Sequence, residues 1–192
     1  MRNNVFGITA AALFIIQIMA GCNTASQMAG MGLPADYAKS PVLDSRPVWR
    51  TVVLPASSPT GSSEVNMDAI SDYAGLSILR TGKFTLVDRT ELDRILEEQE
   101  LSYSGVVDPS TAVELGRLLG AEAVMTIRVG AVTHDSFWDD EPDQRDASVL
   151  VKIISVETAE VLYTASGQGN SFQGADEALK MAIEVSLIGL FR

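Results

Sequence analysis

The sequence predicts an α+β fold in which a mixed β-sheet packs against helices, with the element order β-α-β-α-α-β-β-β-α. Three observations support this prediction. Short β-rich runs alternate with amphipathic segments through the first two thirds of the chain. Two further β-rich runs then lie close together, as in an antiparallel hairpin. The chain ends in a segment whose apolar residues recur at helical spacing.

The first predicted strand and helix occupy the region that follows residue 46. Val48–Pro55 is rich in β-branched residues and closes on a proline, which is typical of a strand that ends in a loop. Ser62 or Ser63 can then cap a helix, because apolar residues follow near the 3.6-residue period at Met67, Ile70, Ala74 and Leu76 or Leu79. Gly82 is expected to end this helix, because glycine is favoured just after a helix.

A second strand and two more helices follow. Lys83–Asp88 reads as a strand, and Thr90 begins a Thr-x-x-Asp capping signal that opens an amphipathic helix. Asp108 is a good N-cap, and Pro109 fits the first helical position because its missing N–H is not needed there. The helix that they open is expected to end at Gly120.

The last third is predicted to contain three strands and a terminal helix. Ala123–Val132 is the third strand of the chain. Ser148–Val156 and Val161–Ser166 flank four residues and therefore read as a β-hairpin. Ala175–Arg192 carries apolar residues at amphipathic spacing, so it is predicted to form a terminal amphipathic helix.

The N-terminus predicts export and lipid attachment. One basic residue precedes the apolar run Val5–Ala20, which is too short for a typical membrane span and is typical of a signal peptide. Met19-Ala20-Gly21-Cys22 resembles the lipobox of bacterial lipoproteins, in which cysteine receives fatty acyl chains such as palmitate. Residues 1–21 are therefore predicted to be cleaved and Cys22 to be lipidated. The alternative is an ordinary signal peptide followed by an incidental or buried cysteine.

The predicted mature chain divides into a tether and one domain. Residues 22–46 are rich in Ser, Ala, Gly and Pro without a period, which predicts a flexible tether, and residues 47–192 form the domain. Asn23 after the cysteine, by resemblance to lipoprotein sorting rules, favours the outer membrane. With 14 Lys and Arg against 25 Asp and Glu, the net charge of −11 argues against nucleic acid and anionic lipid surfaces as partners.

Three sequence stretches together resemble the CsgG family of curli-secretion lipoproteins and its flagellar and peptidoglycan-associated relatives. They are KFTLVDRTELDRILEEQELS, ELGRLLGAEAVMTIRV and VKIISVETAEVL. The resemblance covers about Val48–Arg192, and the lipobox fits it, whereas Ala159 replaces a glycine that the family often has in its turn. The resemblance implies a periplasm-facing, lipid-anchored outer-membrane protein that is not an enzyme and needs no cofactor.

Two segments distinguish this chain from the family members that form channels, which insert two hairpins per subunit into the membrane. Thr133–Asp146 has fourteen residues and six acids, and Gly167–Gly174 has eight residues. A hairpin that crosses a membrane needs roughly 20 residues with alternating apolar positions. The chain is therefore predicted to be a short member that lacks the transmembrane hairpins.

Candidate reactive residues each have a plainer alternative. His134 could act as a base, but no nucleophile or orienting partner accompanies it, so a solvated loop histidine is the alternative. The acids of the Thr133–Asp146 segment could bind Ca²⁺, although they lack EF-hand spacing, and a solvated loop explains them equally. Gly167, Gly169 and Gly174 do not have the spacing of a phosphate-binding loop. No catalytic, cofactor or metal site is therefore predicted.

Protein contact is the predicted activity. Trp138 is a candidate partner contact, the alternative being that it folds back on the domain. The apolar stripes of residues 90–101 and 175–192 are candidate surfaces, with core packing as the alternative. The predicted function is an accessory or assembly subunit of an envelope or secretion structure, with an unidentified envelope protein as partner and self-association into a homo-oligomer. The alternatives are a regulator of peptidoglycan synthases and, more remotely, an envelope hydrolase.

Overall fold

The computed structural model of the chain describes residues 36–58, 65–98, 108–135 and 144–191. Within these ranges the strands are β1 (Asp36–Lys39), β2 (Trp49–Val53), β3 (Phe84–Leu86), β4 (Ala123–Asp135), β5 (Gln144–Ser155) and β6 (Val161–Ser171). The helices are α1 (Met67–Leu79), α2 (Arg89–Glu98), α3 (Pro109–Leu118) and α4 (Ala175–Leu187), with 3₁₀ helices at Pro41–Ser45 and Ile188–Phe191. The predicted α+β class and element order are confirmed, with β1 preceding the predicted elements. No helix of the described ranges is long and apolar enough to cross a membrane.

The strands form one mixed sheet in the order β1-β6-β5-β4-β2-β3. β2 is parallel to both β3 and β4, because a helical crossover separates these strands in the chain. β4, β5 and β6 are antiparallel neighbours, and β1 is antiparallel to β6. The register places Val151 of β5 opposite Ile127 of β4 and Ala165 of β6.

Helices cover both faces of the sheet. α1 and α4 lie on one face, over the larger core cluster, which contains Ile70, Ile78, Met125, Ile127, Val151, Tyr163, Leu179 and Ile183 among others. α2 and α3 lie on the other face, over a smaller cluster formed by Val52, Leu54, Leu92, Ala112, Leu115, Leu119, Ala121, Val124 and Val156. Val52 and Val124, which are opposite each other in the register, both contribute to this smaller cluster.

The antiparallel strands extend beyond their predicted ends. A register shift between Val129 and Val132 marks an irregularity after which β4 continues to Asp135. β5 begins at Gln144 instead of Ser148. The prediction stopped where apolar residues stop, but backbone hydrogen bonds continue a ladder regardless of side-chain polarity. Residues 136–143 of the predicted acidic loop lie outside the described residues.

Part of the predicted tether belongs to the sheet. β1 pairs with β6, and the backbone N–H of Ser40 donates to the carbonyl of Leu162 over 2.8 Å. Leu43 is fully buried, and its carbonyl accepts a 3.0 Å hydrogen bond from Nε1 of Trp49. A four-residue strand with a single apolar anchor nearby gives almost no periodic signal, so composition alone predicted a tether here. Residues 22–35 lie outside the described residues.

The helix starts were predicted with mixed success. Asp108 caps α3 as expected, with its carboxylate accepting from the N–H of Ser110 over 3.3 Å. The predicted cap Thr90 instead lies inside α2, and Asp88 accepts from its N–H over 2.9 Å. Asn66 caps α1, because its side-chain oxygen accepts from two N–H groups of the first turn. A side-chain acceptor two residues before the bonded N–H therefore serves α1, α2 and α3, whereas α4 follows Gly174 and has no side-chain cap among the described residues.

Candidate interaction surfaces

The predicted helix stripes are mainly core. On α2, Leu92 is fully buried, and Ile95 and Leu96 are half-buried against the smaller cluster. On α4, the buried stripe consists of Ala178, Leu179, Ala182, Ile183 and Leu187. The alternative of core packing therefore accounts for these residues, and surfaces for partners must be sought among apolar residues that remain exposed.

Gly167 and Gly169 lie inside β6, not in a phosphate-binding loop. A Cβ atom added to Gly167 would lie 2.9 Å from the backbone nitrogen of Ser186, and one added to Gly169 would lie 2.6 Å from that of Ala182. The two glycines thus let the backbone of α4 rest directly on β6. Gly174, with a φ of 124°, precedes the first residue of α4.

A groove between α1 and β3 exposes apolar side chains at one edge of the sheet. Leu76 and Leu79 of α1 are 47% and 42% exposed, and Leu86 of β3 and Val87 lie beside them. The groove has a volume of about 510 Å³. Its other lining residues are Val52, Val53, Ser71, Asp72, Gly75, Asp88 and Arg89. We call this surface the α1–β3 groove.

Arg89 forms the charged rim of the α1–β3 groove. Its guanidinium pairs with the carboxylate of Asp72 at 3.0 Å and with that of Asp68, which joins α2 to α1. The carboxylate of the neighbouring Asp88 accepts the N–H of Thr90, and this hydrogen bond lowers the pKa of Asp88. The rim therefore presents a fixed set of mainly acidic groups around an apolar floor.

A second apolar surface lies near the opposite edge of the sheet. β1 pairs only with residues 163–166 of β6, so in the described part of the chain the outer edge of residues 167–171 has no strand partner. Phe172, just after β6, is 64% exposed, and Met181 of α4 is 46% exposed. Ile188 lies two helical turns beyond Met181 and is also exposed. We call Phe172, Met181 and Ile188, together with this open edge, the β6 edge patch.

An ion-pair cluster closes the end of the sheet from which β2 starts. Arg46 pairs with Glu122 at 2.9 Å and with Glu157 at 3.2 Å, and its guanidinium lies 4.8 Å from the ring centroid of the buried Trp49. The second carboxylate oxygen of Glu122 accepts the N–H of Arg50 over 3.0 Å. These ion pairs and the hydrogen bond to Arg50 tie the chain before β2 to the sheet.

The structure describes only some of the residues that the sequence singled out as candidate sites. Cys22 and Trp138 lie outside the described residues, so lipidation and partner contact there stay predictions. His134 is in β4, where its backbone is opposite Arg145. Across the described ranges, no group of three or more His, Cys, Asp or Glu side chains is arranged to hold a metal ion.

Sequence reasoning missed the two exposed surfaces. Leu76 or Leu79 was assigned to the buried stripe of α1 with Ile70 and Ala74, but Ile78 completes that stripe. The signal was present, since 70, 74 and 78 are spaced by four residues and 76 and 79 fall outside this row. Two leucines outside the buried row indicate a second apolar side of the helix.

Comparisons with known proteins agree with this fold. The family model described as curli production assembly/transport component CsgG matches residues 51–136, which include most of β2, all of β3 and β4, and the α1–β3 groove. The PelC dodecamer from Paraburkholderia phytofirmans is similar in structure, with a TM-score of 0.55 and 14% identity, and the match covers 81% of this chain and 95% of that chain. Lipoprotein GNA1162 from Neisseria meningitidis has a TM-score of 0.51 and 14% identity, with coverage of 69% and 90%. A search of curated proteins found no match. At these identities, the two solved structures show a shared fold.

Proposed function

We propose that the chain, whose residues 51–136 match the CsgG family model, is a non-enzymatic accessory or assembly subunit of a bacterial envelope or secretion structure. It acts by protein–protein contact. The family match carries this proposal, because the family is described as an assembly and transport component.

Lipid attachment at Cys22 places the protein at the periplasmic side of the outer membrane. The lipobox-like sequence that ends at Cys22 and the Asn that follows it support this part of the proposal. The net charge of −11 supports it indirectly, because an acidic body is not attracted to anionic lipid and needs a covalent anchor. Several acyl chains hold firmly, at about 0.8 kcal/mol per buried CH₂.

Two exposed apolar surfaces support protein contact. The α1–β3 groove and the β6 edge patch both expose large apolar side chains to solvent, near opposite edges of the sheet. Contiguous apolar patches at the surface of a folded protein mark interaction sites more often than scattered residues do. A structural relative is a dodecamer, so self-association through these surfaces is included in the proposal.

Photo-crosslinking in the living host tests protein contact. A benzophenone amino acid replaces Leu79 in the groove or Phe172 in the edge patch, and Glu160, an exposed residue of the β5–β6 turn, serves as the control position. We expect adducts at Leu79 and Phe172 and few at Glu160. Mass spectrometry of the adducts then identifies either a second copy of this chain or an envelope protein.

The outcomes discriminate between the candidate functions. Adducts that contain this chain or a component of a secretion structure support an assembly subunit. Recovery of peptidoglycan synthases instead would favour the regulator. Equal, sparse labelling at all three positions would contradict protein contact through these surfaces.

Fractionation tests the anchor separately. We expect the native protein in outer-membrane fractions, with Cys22 acylated and N-terminal by mass spectrometry. The variant Cys22→Ser should leave those fractions, because its acyl chains are lost. Retention of the variant in the outer membrane, or a native chain with an unmodified Cys22, would refute lipid anchoring.

A further inference from the structure

One region of the sheet, distinct from both apolar surfaces, is not covered by any helix of the described residues. It lies on β4, β5 and β6, on the face opposite α4 and next to the part that α3 covers. The register puts Thr126, Lys152 and Thr164 in one cross-strand row and Arg128, Leu150 and Ser166 in the next. We call these six residues the open sheet face. A cavity of about 110 Å³ lies on it, between β4, β5 and the start of α3.

The two cations of this face have no acidic partners among the described residues. Lys39, Lys83 and Lys180 each form an ion pair, whereas Lys152 forms none. Arg128 likewise has no ion pair, although its backbone bridges to Ser57. Although the chain has 25 acids and only 14 Lys and Arg, these two cations lie on neighbouring strands with no ion pair among the described residues. An anionic partner would relieve their mutual repulsion.

The acids around the face do not neutralise these cations. Asp36 of β1 lies opposite Ser166 in the same row as Arg128, but two strands, β6 and β5, separate it from Arg128. Asp146 is four residues before Leu150 along β5. Asp108, beside the cavity, uses its carboxylate to cap α3. The nearby acids are thus placed at the margins of the face or are already bonded.

The distance between Arg128 and Lys152 indicates which arrangement of negative charges fits them. Arg128 is opposite Leu150, and Lys152 is two residues further along the same strand, so the two cations are diagonal neighbours. Diagonal neighbours on adjacent antiparallel strands are about 7–8 Å apart. In an extended chain, side chains two residues apart point the same way and are separated by roughly 6.5–7 Å. Two carboxylates at positions i and i+2 of an extended segment therefore fit the two cations.

We propose that the open sheet face binds an extended acidic segment of a partner protein, whose carboxylates at i and i+2 contact Arg128 and Lys152. The hydroxyls of Thr126, Thr164 and Ser166 supply hydrogen bonds beside these contacts. Leu150, which is opposite Arg128, provides an apolar contact beside the two cations. The proposal is independent of self-association through the groove and the edge patch.

Two isomeric peptides test the spacing directly. The labelled octapeptides ETETETET and EETTEETT have the same charge, but only the first contains glutamates at i and i+2. Fluorescence anisotropy with the full-length protein purified in detergent measures their binding at low salt. We expect ETETETET to bind at least threefold more tightly, and to weaken as salt rises because the contacts are ionic.

Matched charge variants locate the site. The double variant Arg128→Gln, Lys152→Gln should weaken binding of ETETETET at least tenfold, since two charge-assisted contacts are lost. The control is Arg50→Gln, Arg117→Gln, which removes two exposed arginines that also have no ion pair among the described residues. The control should change the dissociation constant less than twofold.

Four results would overturn the proposal. They are equal weakening in the two double variants, equal affinity for the two peptides, no measurable binding of either peptide, and tighter binding of an oligogalacturonate, which would indicate an anionic glycan instead. A separate measurement checks access and can give a fifth result against the proposal: acetic anhydride should acetylate Lys152 readily in the free protein. Protection without a partner would mean that this chain covers the face itself, which also excludes the proposed docking.

Discussion

Replacing Gly167 with alanine should force α4 away from β6. The added Cβ would lie 2.9 Å from the nitrogen of Ser186 and 3.0 Å from the carbonyl carbon of Ala182, and closer still to the oxygen of that carbonyl. All of these atoms are backbone, so no side-chain rotation relieves the overlap. The helix as a whole must move by a distance on the order of 1 Å, because ordinary contacts need about 3.5 Å.

The expected loss in the free energy of unfolding depends on the side chains that α4 buries. Its inner residues, which include Leu179 and Ile183, are fully buried against the sheet, and a gap of 0.5–1 Å already removes roughly a quarter to a half of the dispersion attraction. Overpacking of this kind typically costs 1–3 kcal/mol. Because the clash is with backbone, we expect the upper part of this range, about 2–3 kcal/mol. For a chain of this length, that corresponds to a fall in Tm of roughly 4–12 °C.

Urea unfolding monitored by circular dichroism measures this change, with Gly75→Ala as the control. Gly75 lies inside α1, and its added Cβ would be 3.1 Å from a terminal methyl of Leu86, which can move. Alanine is favoured over glycine inside a helix by about 1 kcal/mol, so the control should be neutral or slightly stabilising. A Gly167→Ala variant within about 0.5 kcal/mol of the parent would refute the direct packing of α4 on β6.

Four further predictions concern single residues. Trp49→Phe leaves the carbonyl of Leu43 without its donor and should cost about 1–3 kcal/mol in urea unfolding. Burial raises the pKa of Tyr163 to about 12, above the value near 10 of a tyrosine in an unfolded chain. The neutral phenol therefore contributes to the free energy of unfolding below pH 10, and this contribution is lost as pH rises toward 12. Tyr163→Phe should therefore flatten the decline of the urea midpoint over that interval. Arg89→Gln should cost less than about 1 kcal/mol, a difference that disappears in 1 M NaCl if the exposed ion pairs cause it. Ala159→Gly should raise stability by about 1 kcal/mol, because Ala159 has a φ of 60° and glycine adopts that region without strain.

The elements that the sequence predicted well have strong local signals. Asp108-Pro109 combines a capping carboxylate with a proline at the first helical position, and both act within one turn. The β5–β6 hairpin was visible because two β-rich runs flank a four-residue turn. The substitution of Ala159 for a family glycine was also visible, and the positive φ at this position supplies its physical meaning.

The elements that were missed depend on contacts distant in sequence. β1 is a strand because β6 offers it a backbone edge, and its four residues have no strong preference of their own. Gly167 and Gly169 resemble loop glycines until α4 is placed over them. The unpaired state of Lys152 is likewise a property of the register, since no local pattern reports which charges lie nearby. The candidate surfaces therefore depend on contacts between distant parts of the chain, whereas the helix starts depend on residues within one turn.

The positions of the two apolar surfaces constrain any self-association that uses both. The α1–β3 groove lies at the β3 edge of the sheet, and the β6 edge patch lies near the β1 edge. A two-fold dimer buries the same surface on both subunits, so patches at opposite edges of the sheet do not meet each other in one compact two-fold interface. Contact between unlike edges is head-to-tail and extends until a ring closes or a filament forms. Leu79→Asp and Phe172→Asp should therefore each stop assembly alone, yet a mixture of the two variants should recover one groove–patch contact and yield heterodimers by native mass spectrometry. Recovery of full-sized assemblies from either single variant would contradict head-to-tail contact through these surfaces.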